Sequence, residues 1–150
     1  MYGVILFLHL LGACVWTGGH LLLAIAILPK ALRARDPTRV LAFEASYERL
    51  GMSALAVQVA SGLWLAHTLQ PDLAGWLQPA TPQAKLIVLK LGLLLLTALV
   101  ALDARLRILP RLDARTLPQM AVRIVAVTVL SVLFVLAGAS FRGHLLFGLA

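Results

Sequence analysis

Charge is scarce in this chain. Its 150 residues include thirteen Lys and Arg and six Asp and Glu, 13% charged in all, against about 25% in a soluble domain. Acidic residues are the rarer sign, so the net charge is +7 and the pI 10.8. Cysteine occurs once, at Cys14, which excludes an internal disulfide and says nothing about redox compartment. Also missing is any polar stretch long enough for a soluble domain. What fills the chain instead is apolar: 61% hydrophobic residues, in long runs at Tyr2–Leu28, Leu50–Leu69, Ala84–Leu102 and Met120–Phe141. About 20 apolar residues of helix match the roughly 30 Å of bilayer hydrocarbon, so each run is long enough to span. Lys90 stands as a full charge well inside them. A polar group in lipid is costly unless it is paired or used, which makes the few polar residues of the spans the candidates for function.

The first run is read as a retained helix rather than a signal peptide. Its start, Met1-Tyr2-Gly3-Val4, has no basic n-region, and the run exceeds the usual h-region of about 7–15 residues. The high pI invites a nucleic-acid reading, but the basic residues sit between the spans. Lys30, Arg33, Arg35, Arg39 and Arg49 cluster in or near the first connection, and Arg105, Arg107, Arg111, Arg115 and Arg123 in or near the third; the second, Gln70–Gln83, has no Lys or Arg. Lys and Arg stay on the cytoplasmic side. The pattern therefore predicts a bacterial inner-membrane protein with both termini and the second connection in the periplasm, a lipid bilayer as its main partner, and no nucleic acid.

Local signals delimit the helices. Asp36-Pro37, Thr81-Pro82 and the pair Thr116 and Pro118 each read as a cap with proline in the first turn, and Trp76 suits the headgroup level. The helices are expected at roughly 2–28, 46–69, 83–108 and 118–142 of a single transmembrane domain spanning 1–150. No internal repeat is evident beyond the shared hydropathy. Short connections favour an all-α, up-down-up-down four-helix bundle.

Within the bundle the first helix carries the clearest pattern. His9 and His20 are eleven residues apart, which puts them within about 20° of one face and about 16 Å apart along the axis. Gly12, Ala13 and Trp16 share that stripe; small residues allow close helix approach, and an indole can wall a flat ligand. Cys14 points away from His9. The bland alternative is two histidines hydrogen-bonded inside a bundle. Lys90 lies about 12 Å along the third helix from Pro82, and either snorkels to the headgroups or meets a buried partner or ligand. In the fourth helix Thr128, Ser131, Val135, Gly138 and Arg142 form one polar stripe, with His144 just beyond. In the second, Gln58 and His67 fall on opposite sides. Gln58, with Ser61 and Gly62, has the stronger claim to burial, leaving His67 as a polar end residue or, if both faces are covered, a residue of a homodimer interface. The topology brings His9, Lys90 and Arg142 to the outer side, with His67 and His144 as additions, and leaves His20 alone toward the inner half.

Leu8-His9-Leu10-Leu11-Gly12 through Trp16-Thr17-Gly18-Gly19-His20, together with Leu89-Lys90-Leu91 running to Asp103-Ala104-Arg105-Leu106-Arg107 and Pro110, resemble the CopD family of bacterial copper-resistance and copper-uptake membrane proteins. A more distant likeness is to the HemJ family of haem-binding membrane proteins, which also pairs a helix-one histidine with a lysine in a later helix. The first resemblance implies copper as the bound species and a periplasmic copper chaperone or redox partner; position by position the likenesses point to His9 and Lys90, and less directly to His20, while His67 and His144 join His9 as metal-ligand candidates by their place on the outer side. The second implies a b-type haem; such a group would take one or two histidines on iron, Trp16 or Trp64 against the ring, and Lys90 and Arg142 paired with propionates.

The chemistry of the two differs. Imidazole suits copper in either oxidation state, but Lys90 and Arg142 repel a cation. The same cations favour a haem, and helix bundles host such cofactors between facing helices. A third class is a membrane subunit whose histidines only pack the bundle. Copper binding or passage from the periplasmic side is the leading expectation, without enzymatic activity. A haem-dependent oxidoreductase is the rival.

Overall fold

The computed structural model describes residues 1–77 and 81–143, with side chains for all of them except Leu77, Arg142 and Gly143. Four helices are long and apolar enough to cross a membrane: Tyr2–Ala34 (α1), Thr38–Leu69 (α2), Pro82–Arg111 (α3) and Leu117–Gly143 (α4). One helical turn, Ala74–Leu77, lies in the connection between α2 and α3, and the described residues include no strand. Two antiparallel hairpins, α1 with α2 and α3 with α4, associate mainly through α1 against α4. The result is the up-down-up-down membrane bundle that the hydropathy predicts. Its outer surface is apolar, with Val4, Phe7, Ile25, Leu95, Leu106 and Val122 each more than half exposed, as a surface facing hydrocarbon requires.

Two helices run past internal prolines. α1 passes through Pro29 to Ala34, so Lys30 and Arg33 are helical, and α3 passes through Pro110 to Arg111. A proline ring clashes with the carbonyl four residues back, here those of Ile25 and Leu106. In both helices that carbonyl lies in a wide π turn, Leu23–Ile27 in α1 and Ala104–Ile108 in α3. Such a turn takes one more residue into the hydrogen-bonded ring and makes room for the proline. Ile-Leu-Pro followed by a basic residue recurs at both places, Ile27-Leu28-Pro29-Lys30 and Ile108-Leu109-Pro110-Arg111. This is an internal repeat that the uniform hydropathy hides.

The caps follow the sequence with one exception. α1 ends in a Schellman arrangement: Arg35 is left-handed (φ 50°), and the amides of Arg35 and Asp36 bond the carbonyls of Leu32 (3.2 Å) and Ala31 (3.0 Å). Asp36 Oδ1 then accepts the amide of Thr38 (3.0 Å) and its hydroxyl, so α2 begins at Thr38, well before its apolar run. Thr81 caps α3 by accepting the amide of Ala84 (3.2 Å), with Pro82 in the first turn. At α4 the capping carboxylate is Asp113 rather than Thr116. Asp113 Oδ1 accepts the amides of Thr116 and Arg115 (2.8 Å each), while the amide of Asp113 donates to the Thr116 hydroxyl (2.9 Å). The reciprocal pair is a capping box that starts three residues earlier than the proline signal suggests.

Packing is concentrated at the arginine-rich end. Leu23, Leu28, Ala31, Val40, Ala104, Ile108, Leu117, Met120 and Ile124 form one buried cluster drawn from all four helices. Ion pairs surround this end: Asp103 binds Arg123 of α4 (3.0 Å) and Arg107 (3.3 Å), and Glu48 of α2 binds Arg105 of α3. Toward the N-terminal end, α1 and α2 stay close at Gly12. A methyl group there would sit 2.9 Å from the carbonyl oxygen of Ala54. Small residues at such contacts let dispersion forces hold helices together where lipid removes the hydrophobic drive between them.

Candidate functional site

The close approach of α1 and α2 sets the position of His9. Its ring is buried, at 8% exposure, with Nδ1 3.0 Å from the carbonyl oxygen of Gln58 and 3.1 Å from Ser61 Oγ. A carbonyl only accepts, so Nδ1 carries the proton and donates. The Ser61 hydroxyl hydrogen is spent on the carbonyl of Val57 (2.5 Å). Nε2 is thereby left with its lone pair, and it has no hydrogen-bond partner among the described residues. Gly62 makes this possible: a Cβ at that position would lie 2.9 Å from His9 Cε1.

Opposite, on α3, Lys90 brings a cation to the same space. Its Nζ stands 4.9 Å from the centre of the Phe134 ring and 5.8 Å from that of Phe141, within cation–π range. No Asp or Glu pairs with it among the described residues. The two residues share one cavity of about 400 Å³, lined by all four helices and including Tyr2, Trp16, Gln58, Thr97, Ser131 and Gly138. Besides these and Thr17 its walls are aliphatic and aromatic, and among the described residues no carboxylate, thiol or thioether faces it. A volume of this size suits an organic ligand rather than a bare ion.

The sequence-predicted site residues divide accordingly. His9, Lys90 and Trp16 meet at the cavity, as do Gln58, Gly62, Ser131, Val135 and Gly138 of the two polar stripes. His20 does not line it. The indole of Trp16 packs edge-on against the His20 ring (centroids 4.6 Å apart), and both ring nitrogens of His20 are buried without a partner among the described residues. Thr128 faces the same region, its hydroxyl 3.2 Å from the His20 carbonyl. His67 is exposed and Cys14 is exposed. Arg142 belongs to the last turn of α4, directly after the cavity residue Phe141, while its side chain and the whole of His144 lie outside the described residues. The aromatic partners of Lys90 escaped the sequence reading. Their signal was the spacing from Gly138: Phe134 one turn before it and Phe141 three residues after, both on the face of that small residue.

Among the described residues no three of His, Cys, Asp or Glu come together in a metal-binding group. Among the described residues the cavity offers one imidazole as a strong metal donor, beside neutral oxygens such as those of Gln58, Thr97 and Ser131. That fits a passing copper ion touched at a single nitrogen, and it does not build a resident copper centre. One imidazole, apolar walls and one cation do fit a haem.

Comparison with known proteins gives one positive result. The family model described as Copper resistance protein D, CopD, matches residues 41–141, which takes in most of α2, all of α3 and most of α4. The match begins after the helix that carries His9. No curated protein and no solved structure matches the chain.

Proposed function

This chain belongs to the CopD family of copper-resistance membrane proteins, and on that premise we propose that it handles copper at the periplasmic end of the bundle, with His9 as the nitrogen that meets the ion. The observation that carries this is the fixed state of His9. Its Nδ1–H is held by the Gln58 carbonyl (3.0 Å), and its Nε2 is left open. A metal-ligating histidine characteristically donates its other ring N–H to a carbonyl, which sets the tautomer and raises the basicity of the ligating nitrogen. The arginine-rich connections are assigned to the cytoplasm of a bacterial inner membrane by the distribution of Lys and Arg, which leaves the cavity facing the periplasm. Copper is cargo in this reading, and a periplasmic chaperone or a second copy of the chain would supply the remaining ligands. The test is copper binding to the detergent-purified protein, paired with copper tolerance in cells. His9→Ala is expected to lose both, while Cys14→Ala changes neither. Unchanged binding in His9→Ala would sink the proposal.

A b-type haem is the second reading, favoured by the size and walls of the cavity and by Lys90. His9 would hold the iron, Trp16 would pack on the ring, and Lys90 would pair with a propionate; the group would supply one-electron redox chemistry. The visible spectrum of freshly purified protein, oxidised and dithionite-reduced, decides between the two. A stoichiometric Soret band that disappears in His9→Ala supports haem, and a colourless protein that binds copper supports the first reading.

A further inference from the structure

The repeat at the two prolines extends through the whole bundle. An offset of 81 residues carries Ile27 to Ile108 and the π turn Leu23–Ile27 onto Ala104–Ile108. The same offset carries His9 to Lys90. It also maps the cavity residues Leu6, Ala13 and Trp16 of α1 onto Ile87, Leu94 and Thr97 of α3, which line the cavity too. Between α2 and α4 the offset is 76, and it takes Gln58, Val59 and Gly62 to Phe134, Val135 and Gly138, again cavity residues on both sides. Each pole has its own glycine. Gly62 leaves room beside His9, and a Cβ at Gly138 would lie 3.5 Å from Lys90 Nζ. The hairpins α1–α2 and α3–α4 are thus two copies of one unit about a pseudo-two-fold axis, and His9 and Lys90 are the same position specialised in two ways.

The symmetry is broken at one place. α1 packs along α4, whereas α2 and α3, the counterpart of that contact, barely meet. The pair is tied at the arginine-rich end by Glu48 and Arg105 and leaves the flank of the cavity open toward lipid, where Leu63 and Leu69 on its rim are 44% and 46% exposed.

We propose that this cavity binds a membrane-soluble quinol, its ring astride the pseudo-two-fold axis, one hydroxyl donating to His9 Nε2 and the opposite oxygen accepting from Lys90 Nζ. A bare metal ion and a fatty carboxylate each satisfy only half of the site. A metal ion uses the open nitrogen of His9 and is repelled by Lys90. A fatty carboxylate pairs with Lys90 and leaves His9 Nε2 without a donor. A quinol has a donor and an acceptor at opposite edges of a flat ring, matches aromatic walls, and arrives dissolved in lipid through the α2–α3 flank. The inference shares a cavity with the copper reading but does not rest on it.

The test uses the full chain in lipid nanodiscs with Trp64→Phe and Trp76→Phe, so that Trp16 alone reports. Decylubiquinol is expected to quench its fluorescence saturably, with affinity falling at least tenfold in Lys90→Met and in His9→Leu and retained in Lys90→Arg. Copper binding, measured on the same samples, is expected to survive Lys90→Met and to be lost in His9→Leu, so the two readings fail separately. Each variant is checked for a monodisperse elution profile. The proposal is overturned by non-saturable quenching in the parent protein, by equal affinity in Lys90→Met, by full competition from decanoate, or by a bound haem that decylubiquinol does not displace.

Discussion

The two ends of the bundle solve opposite problems. At the arginine-rich end, side chains from four helices interlock into a sealed cluster, and Leu23, Ala31, Val40 and Leu117 are at most 1% exposed. At the N-terminal end the same four helices enclose about 400 Å³ around one imidazole and one ammonium group. The difference lies in what occupies equivalent heights. Branched and long aliphatic chains meet at the first end; at the second, Gly12 draws α1 onto α2 while Gly62 and Gly138 remove side chains beside the two polar groups. Stability is therefore held at one end, and ligand chemistry is free to develop at the other.

That separation is open to direct attack. Leu23→Ala opens a hole in the sealed cluster and is expected to cost about 2–5 kcal/mol, at the lower part of that range because lipid replaces water as the reference. Thermal unfolding in detergent measures it, and ligand binding per folded molecule should not change. His9→Ala should do the reverse, lowering copper affinity by more than about a hundredfold, because loss of the ligand that the cavity itself supplies exceeds the 10–100-fold range of its outer partners, with a melting temperature close to that of the parent. If His9→Ala unfolded the bundle and left binding intact in the surviving fraction, the division between the ends would be wrong. Ser61→Ala tests the support behind His9. With the Gln58 carbonyl still accepting, a loss of about tenfold is expected, read in the same titration.

The smallest effect belongs to the surface connections. Hydrogen bonds from the Thr116 amide and hydroxyl and the Arg115 amide hold the Asp113 carboxyl below the usual range, and the Thr38 hydroxyl and amide do the same for Asp36. A carboxyl lowered in the folded state adds stability that is fully present above its unfolded value of about 3.9 and is lost as pH falls through the folded one. Acidification from pH 6 to pH 3 should lower the melting temperature slightly, and Asp113→Asn should remove part of that dependence. Both groups are exposed, so the shift is modest and screened by salt.

Much of this arrangement was legible beforehand, for reasons that can be named. Hydropathy and the sparse charge give the four spans because no other structure satisfies backbone groups in lipid. Alternation of direction then brings His9 and Lys90 to one end whatever the detailed packing. Thr81 and Asp36 announce their caps because those side chains bond amides only two or three residues away. The helix ends were harder to read: the expected helices stop at 28 and 108, and nothing in the neighbouring sequence signals the π turns that carry α1 and α3 past Pro29 and Pro110. The repeat was invisible because leucine and alanine dominate every span, so that Leu8-His9-Leu10 and Leu89-Lys90-Leu91 look like hydropathy rather than kinship.

By itself, then, the sequence determined that this protein crosses a membrane four times, which connections carry the positive charge, and which end holds its polar residues. These follow from transfer free energies summed over long segments, which depend little on partners. Only the tertiary structure decided that His9 presents an open Nε2, that Trp16 stands between the cavity and His20, that His67 faces outward, and that one end is sealed while the other is hollow. Those outcomes rest on close approaches between helices distant in sequence, where a Cβ added at Gly12, Gly62 or Gly138 would come within 2.9, 2.9 and 3.5 Å of the facing residue. Such contacts are set by how closely two backbones approach, a quantity that composition and periodicity do not contain.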